Sequence, residues 1–450
     1  MNIHILGICG TFMGSLALLA RDIGYRVSGS DSNIYPPMST QLKEQGIEIM
    51  DGYKPEHLQH KPDLVVVGNT MSRGNPAIEY MLAEGLPYES GPQWLSNHVL
   101  RDRHVLAVAG THGKTTTSSI LAWILDYAGL NPGFLIGGVV ENFGVSARIS
   151  DSKYFVVEAD EYDTAFFDKR AKFVHYRART LLVNNIEFDH ADIYSDVADI
   201  RKQFNHLLRT IPGNGLVVRH HGDEEIDRVI EEGCWTPTVE FGVDSKQWRV
   251  EPLSNDYSSF DISFEGESRG SVEWQLIGRH NAENALAAIA CAGDAGVDSR
   301  LACEALSGFK SVKRRLQLRG SARGVNVYDD FAHHPTAIEA TLEALRSSVG
   351  PGHRVMAVLE PRSNTMRMGV HKDTLAASLA GADRVFMFQP AEVEWDFKKS
   401  MQPLGKRAGV FEAVDSLVEE LVSELKPGDH VLVMSNGGFQ GIHEKILNSL

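Results

Sequence analysis

Apolar residues in the first hundred positions fall into short blocks separated by amphipathic stretches. Ile3 to Ile8 predicts a buried strand, Met13 to Gly24 a helix closed by its last glycine, and Arg26 to Ser30 a second strand. Asp63 to Gly68 (DLVVVG) predicts another strand. This alternation implies a parallel sheet covered by helices. A charged joint, Leu100-Arg-Asp-Arg-His104, then precedes a new apolar strand, Val105 to Ala109, and sets a first boundary.

Further on, Tyr154 to Val157 and Thr180 to Asn184 predict strands, and Val197 to Thr210 a helix. From about Gly215 to Leu276 the pattern shortens into strands and turns, with PGNG and SNDYSS as punctuation. A helix-rich stretch runs from Asn281 to Leu306. After a second boundary near Leu318 to Ala322, the strand–helix alternation returns. Its strands are Val325 to Tyr328, Arg354 to Leu359, Arg384 to Phe388 and His430 to Met434. The reading is α/β throughout, in three domains: 1–102, 103–318 and 319–450. No short repeat or low-complexity tract interrupts it.

Charge narrows the partners. The 450 residues carry 44 Lys plus Arg against 59 Asp plus Glu, a net charge of −15. A nucleic-acid coat needs a broad basic face, so no nucleic-acid partner is expected. Four scattered cysteines, Cys9, Cys234, Cys291 and Cys303, form no CxxC pair, which argues against a zinc ribbon or a disulfide scaffold. No run approaches the roughly 20 apolar residues that span a bilayer. With no basic leader at the start, a cytoplasmic setting without membrane contact is expected.

The densest chemical signal is VLAVAGTHGKTTTSSILAWIL, residues 105–125. A buried strand runs into Gly110-Thr-His-Gly-Lys-Thr115, and an apolar helix follows. Such a loop cradles phosphate with backbone amides and a helix N-terminus, and Lys114 adds a full positive charge. Thr115 would set its hydroxyl on Mg²⁺. The loop is shorter than a full Walker A motif.

A second glycine loop, Gly7-Ile-Cys-Gly10-Thr-Phe-Met-Gly14, follows the first strand, and Asp31 ends the next. Cys9 stands where a dinucleotide fingerprint has its second glycine, but a nucleotide pyrophosphate fits, with Asp31 placed for a ribose hydroxyl. Acids cluster at two strand ends, Glu158-Ala-Asp160-Glu161-Tyr-Asp163 and Glu187-Phe-Asp189-His190-Ala-Asp192. Beside a phosphate loop they suggest a metal–nucleotide centre at one sheet edge. Asn281 reads either as a helix N-cap or as a reader of an adenine edge. Asp330 suits a ribose, and the adjacent His333 and His334 point apart on an extended backbone.

GTHGKTTT, EADEYD, NNIEFDH, GRHNAEN, a basic pair and YDDFAHHP occur in this order. Together they resemble the Mur ligases, the ATP-dependent amide-bond-forming enzymes of peptidoglycan, over nearly the whole chain. The resemblance implies Rossmann-like N- and C-terminal domains flanking a central P-loop ATPase-type domain. It implies ATP and Mg²⁺ as cofactors and small-molecule substrates, and leaves the oligomeric state open. Lys114, Glu158 and His190 would be catalytic, with Thr115, Glu158 and His190 on the metal. Gly110, Thr111, His112, Gly113, Lys114, Thr115, Thr116, Asn281, Asn284, Arg315 and Asp330 would bind ATP. Gly7, Cys9, Gly10, Thr11, Phe12, Met13, Gly14, Asp31, Asn69 and Thr70 would bind the UDP-sugar.

The N-terminal loop and HHP motif resemble the branch that takes UDP-N-acetylmuramate itself. Its acceptor would be either L-alanine or the murein tripeptide L-Ala-γ-D-Glu-meso-diaminopimelate, the latter in peptidoglycan recycling. GICGTFMG, EPRSNTM and the C-terminal SNGGFQGIH resemble the tripeptide-using enzymes. Arg362, Asn364, Arg367 and Asn436 would then meet the peptide, the arginines pairing with its carboxylates. Several Mur ligases carry a carbamoylated lysine on the helix after the DH motif. Here Asn205 occupies that register and Lys202 does not, so no carbamate is assigned. Domain closure over the site is expected, to keep an acyl phosphate from water. An oxidoreductase would leave Lys114 and the acid clusters without a role, and a non-catalytic nucleotide sensor would tolerate loss of Glu158, Asp189 and His190, all of which are present.

Overall fold

The computed structural model describes residues 1–34, 38–393 and 395–450. The first sheet has five parallel strands, Asn2–Leu6, Arg26–Asp31, Glu48–Asp51, Leu64–Val67 and Tyr88–Ser90. Arg26–Asp31 and Leu64–Val67 flank Asn2–Leu6 on opposite sides, so the winding direction reverses beside the first strand. A ligand crevice belongs at that switch point, outside the carboxyl ends of the strands. The loops after Leu6 and Val67 both open there.

The central sheet has ten strands. Its middle sets Thr180–Val183, His104–Ala109 and Tyr154–Ala159 side by side and parallel. All three are buried β-rich runs, and the phosphate loop and both acid clusters sit at their carboxyl ends. The turn-rich stretch after Gly215 supplies edge strands, as its pattern predicts, but also the helix Glu224–Glu231. Asp223 caps that helix by accepting from the Glu225 and Ile226 amides, and Ile226 and Val229 bury its apolar side. The helix-rich stretch resolves into Arg279–Asp294 and Ser299–Ser307.

The third sheet has six strands, five of them parallel. Its antiparallel edge strand, Gln317–Ala322, pairs with Val325–Asp330. The division placed between 318 and 319 therefore falls inside a strand of this sheet, and the structural break lies before Gln317.

The two seams between domains differ in kind. One buried apolar cluster runs from Ile3 and Leu16 through Trp94 and Leu100 to Val105 and Phe204, across the first seam. The third domain keeps its own apolar clusters, around Leu359 and Phe386. Polar contacts join it to the centre, including Thr336 to Glu187, Thr365 to Asp189 and Gln317 to Glu141.

Candidate active site

The phosphate loop is shaped by what lies beneath it. Gly113 caps the helix Lys114–Tyr127 with φ of 80°, and a Cβ there would sit 2.6 Å from Asn184 Nδ2 and 2.7 Å from Asn284 Oδ1. Only glycine fits. Asn184 donates to Thr117 Oγ1 and to Asn284 Oδ1, and Thr117 donates to Asn284 Oδ1 as well. Asn284, assigned to ATP from the sequence, is thus engaged with the underside of the loop. The cap reading of Asn281 is corrected: Gly278 is the N-cap, and Asn281 lies inside the helix with Nδ2 donating to the Ile277 carbonyl at 2.8 Å.

Lys114 folds back over its own loop. Its Nζ donates to the Gly110 carbonyl at 2.7 Å and to Glu161 Oε2 at 2.7 Å, and lies 3.9 Å from Asp160 Oδ1. Burial alone would favour the neutral amine, but Glu161 and Asp160 outweigh it and raise the Lys114 pKa. Asp160 is held low, against burial, by Lys172 and Lys114. Thr115 Oγ1 donates to Glu158 Oε1 at 3.0 Å, and the Gly137 amide donates to Glu158 Oε2 at 2.7 Å. Burial raises the pKa of Glu158 in spite of those bonds.

His190 stands apart from the Thr115–Glu158 pair. Its Nε2 is 3.3 Å from Glu161 Oε1. Among the described residues, two sets of His and carboxylate groups have ligand atoms within 4.8 Å of one another: Asp160–Glu161–His190 and His112–Glu187–His334. The set read from the sequence, Thr115 with Glu158 and His190, is split between two pairings. His333 and His334 do point apart, His333 toward Asp189 and His334 toward Glu187. Burial and His112 lower the His334 pKa to about 3.

Two cavities flank this network. One, of about 170 Å³, lies between the central and third domains. His112, Gly113, Thr116, Asn281, Asn284, Arg315 and Asp330 line it, all of them expected at ATP. His280 and Glu187 join them without having been assigned. Arg315 Nη2 donates to Thr115 Oγ1 at 3.3 Å. Asp330 accepts from the Leu316 and Ala332 amides, both at 2.7 Å, and burial raises its pKa. Gly110, Thr111 and Lys114 form the neighbouring loop.

The other cavity, of about 320 Å³, lies between the first and central domains. Gly7, Gly10, Thr11, Phe12, Met13, Asn69 and Thr70 line one side, as the UDP-sugar assignment expects, and Glu158, Asp160 and Lys172 line the other. Three assigned residues stand behind the wall. Asp31 is buried and accepts from the Cys9 amide at 2.8 Å and the Asn33 amide at 2.8 Å, so it braces the loop. Gly14 packs under Met38, where a Cβ would lie 2.3 Å from Met38 Sδ. Cys9 joins them through its amide.

At the expected peptide site, Arg362, Asn364 and Arg367 are exposed. Asn364 Nδ2 donates to Asp192 Oδ2 at 2.9 Å. Arg362 lies against Gly437, next to Asn436, so strand ends 75 positions apart converge here. Asn205 is buried and accepts from Arg209, while Lys202 is exposed.

A phosphate loop facing one cavity and a carboxylate–lysine network facing another define an ATP-dependent ligase built from three α/β domains. Family profiles agree along the chain: "Mur ligase family, catalytic domain" matches residues 2–103, "Mur ligase middle domain" 108–292 and "Mur ligase, glutamate ligase domain" 314–437. The chain belongs to the Mur ligase family. It is 55% identical to the UDP-N-acetylmuramate–L-alanyl-gamma-D-glutamyl-meso-2,6-diaminoheptandioate ligase of Haemophilus influenzae, covering 100% of this chain and 99% of the relative. It is 33% identical to the UDP-N-acetylmuramate–L-alanine ligase of Alkaliphilus metalliredigens, covering 86% of this chain and 82% of that one. The crystal structure of a murein peptide ligase from Psychrobacter arcticus superposes with a TM-score of 0.77 at 47% identity, covering 100% of this chain and 98% of the other. No helix among the described residues is long and apolar enough to cross a membrane.

Proposed function

We propose that this chain joins the lactyl carboxylate of UDP-N-acetylmuramate to the amine of L-Ala-γ-D-Glu-meso-diaminopimelate, converting ATP to ADP and phosphate. The observation that carries this reading is the pair of cavities on either side of the Lys114–Glu161–Asp160 network. One suits a nucleotide sugar and the other ATP, so a carboxylate from the first can meet a γ-phosphate from the second. The full-length likeness to the Haemophilus ligase supports the tripeptide as acceptor.

A carboxylate does not acylate an amine in neutral water, because oxide is a poor leaving group. In this mechanism a carboxylate oxygen attacks the γ-phosphorus and ADP departs. The amine then adds to the acyl carbon, loses a proton, and phosphate leaves. Such transfer needs positioning and charge neutralisation. Lys114, buried and charged, and Arg315, on Thr115, supply positive charge beside the loop amides. Glu161 and Asp160 hold Lys114 in place. Thr115 and Glu158 offer hard oxygens 3.0 Å apart, which fits Mg²⁺, and His190 lies in the adjoining set with Asp160 and Glu161. Mg²⁺ bound there would neutralise phosphate charge. Asn69 and Thr70 are assigned to the sugar; Arg362, Asn364, Arg367 and Asn436 to the peptide. We take the first, central and third domains, with the last boundary just before Gln317, as the nucleotide-sugar, ATP and peptide domains, acting in the cytoplasm.

The test is phosphate release with UDP-N-acetylmuramate, ATP and Mg²⁺, comparing the tripeptide with L-alanine as acceptor and weighing the product by mass spectrometry. Turnover with the tripeptide and little with alanine is expected. The reverse would make this an alanine ligase, and release with neither would overturn the assignment of both substrates.

A further inference from the structure

Lys172 is a buried cation outside every recognisable motif. It follows the hairpin formed by Asp163–Ala165 and Asp168–Ala171 and begins the short helix Lys172–His175. Its side chain is 10% exposed, and Nζ donates to Asp160 Oδ2 at 2.8 Å. Two aromatic faces hold the ammonium: Phe12, from the N-terminal glycine loop, at 5.6 Å, and Tyr162 at 5.4 Å. The hairpin clasps the first domain, with Phe166 packed on that domain's apolar cluster and Phe167 edge-on to Tyr88 at 5.0 Å. The position of Lys172 is therefore set by two domains at once.

Charge in the larger cavity needs this residue. Lys172 is the one lysine or arginine among the residues lining it, and it shares its wall with Glu158 and Asp160. The loop amides and helix N-terminus at Gly10 and Thr11 suit a pyrophosphate on the opposite wall. A carboxylate awaiting phosphorylation must instead approach the near wall, because Asp160 there lies 2.8 Å from Lys172 and 3.9 Å from Lys114. Two carboxylates repel it unless a cation intervenes. An ammonium has three donors, so Lys172 can keep its bond to Asp160 and donate to a second oxygen.

We propose that Lys172 is a substrate-positioning residue whose ammonium receives the carboxylate of the nucleotide sugar and holds it beside Lys114. This deepens, and rests on, the reading of that substrate as a carboxylate-bearing UDP-sugar.

The test compares calorimetric binding of UDP-N-acetylmuramate with that of UDP-N-acetylglucosamine, which lacks the lactyl carboxylate. Lys172→Gln should weaken the first about ten- to a hundredfold and change the second less than about twofold. KM for the nucleotide sugar should rise while KM for ATP stays put. Lys172→Arg, which keeps the charge and serves if the glutamine variant does not fold, should retain most of the preference for the carboxylate-bearing sugar. Equal losses for both sugars, or no loss, would overturn the proposal and leave Lys172 a brace for Asp160. A wild-type enzyme without that preference, inert with every acceptor, would overturn the underlying reading as well. Wild-type turnover with unchanged discrimination in Lys172→Gln would overturn this inference alone.

Discussion

Thr365 and Asp189 lock the third domain to the centre: the Thr365 hydroxyl donates to Asp189 Oδ1 at 2.6 Å, with both side chains buried. Asp189 is also the neighbour of His190, and Thr365 belongs to the segment assigned to the peptide. On that assignment the bond registers the proposed acceptor site against the proposed phosphoryl-transfer site. Thr365→Val should leave a buried carboxylate oxygen without this donor, at about 1–3 kcal/mol. The expected outcome is a lower unfolding midpoint and a kcat reduced about tenfold, with nucleotide-sugar binding unchanged. Calorimetry and steady-state kinetics would read it, and an unchanged kcat would show that the seam does not govern catalysis.

Lys114 makes its charge available at the loop through Glu161. Lys114→Ala should lower phosphate release by about 10²–10³-fold, the effect of removing one preorganised donor of charge. Affinity for UDP-N-acetylmuramate should change little, because Lys114 is outside the residues lining that cavity. Single-turnover assays with and without acceptor would separate phosphorylation from amide formation.

Asp31 supports the N-terminal glycine loop, proposed to hold the nucleotide sugar, from behind. Asp31→Ala removes the acceptor of the Cys9 and Asn33 amides. KM for the nucleotide sugar should rise about tenfold, with KM for ATP unchanged. Equal rises in both would place Asp31 in global stability instead.

Glu187 makes the second seam sensitive to acid. Burial works against its charge, but His112 and Thr336 prevail and depress its pKa from 4.5 to about 2. A depressed carboxylate stabilises the fold fully above its unfolded value. That contribution is lost as pH falls from 4.5 toward about 2. Between those limits the unfolding midpoint of the wild type should fall more steeply than that of Glu187→Gln. Parallel curves would remove Glu187 from the acid response.

Much of the site was legible because its parts are local. The phosphate loop needs glycine, lysine and threonine within a few positions, between a buried strand and an apolar helix. Residues 110–116 carry that pattern on their face. The same locality explains the misplacements. Asp31 and Gly14 have the right spacing for a nucleotide site, yet the first braces the loop and the second makes room for Met38. Asn281 follows a glycine and a basic pair, as a cap could, but the helix begins earlier, at Arg279. Lys172 carries no local signal at all, since its chemistry comes from Asp160, Phe12 and Tyr162.

The sequence by itself determined the α/β alternation, the three-part division and the loops that end the strands. Periodicity, turn residues and capping act over a few residues, so they can be read along a line. Tertiary structure alone decided the pairings. His190 meets Glu161 while Glu158 meets Thr115, and Lys172 enters the cavity between the first and central domains. Those partners are set by strand order and domain packing, which bring together charges dozens of positions apart and bury them where each must find its counter-ion.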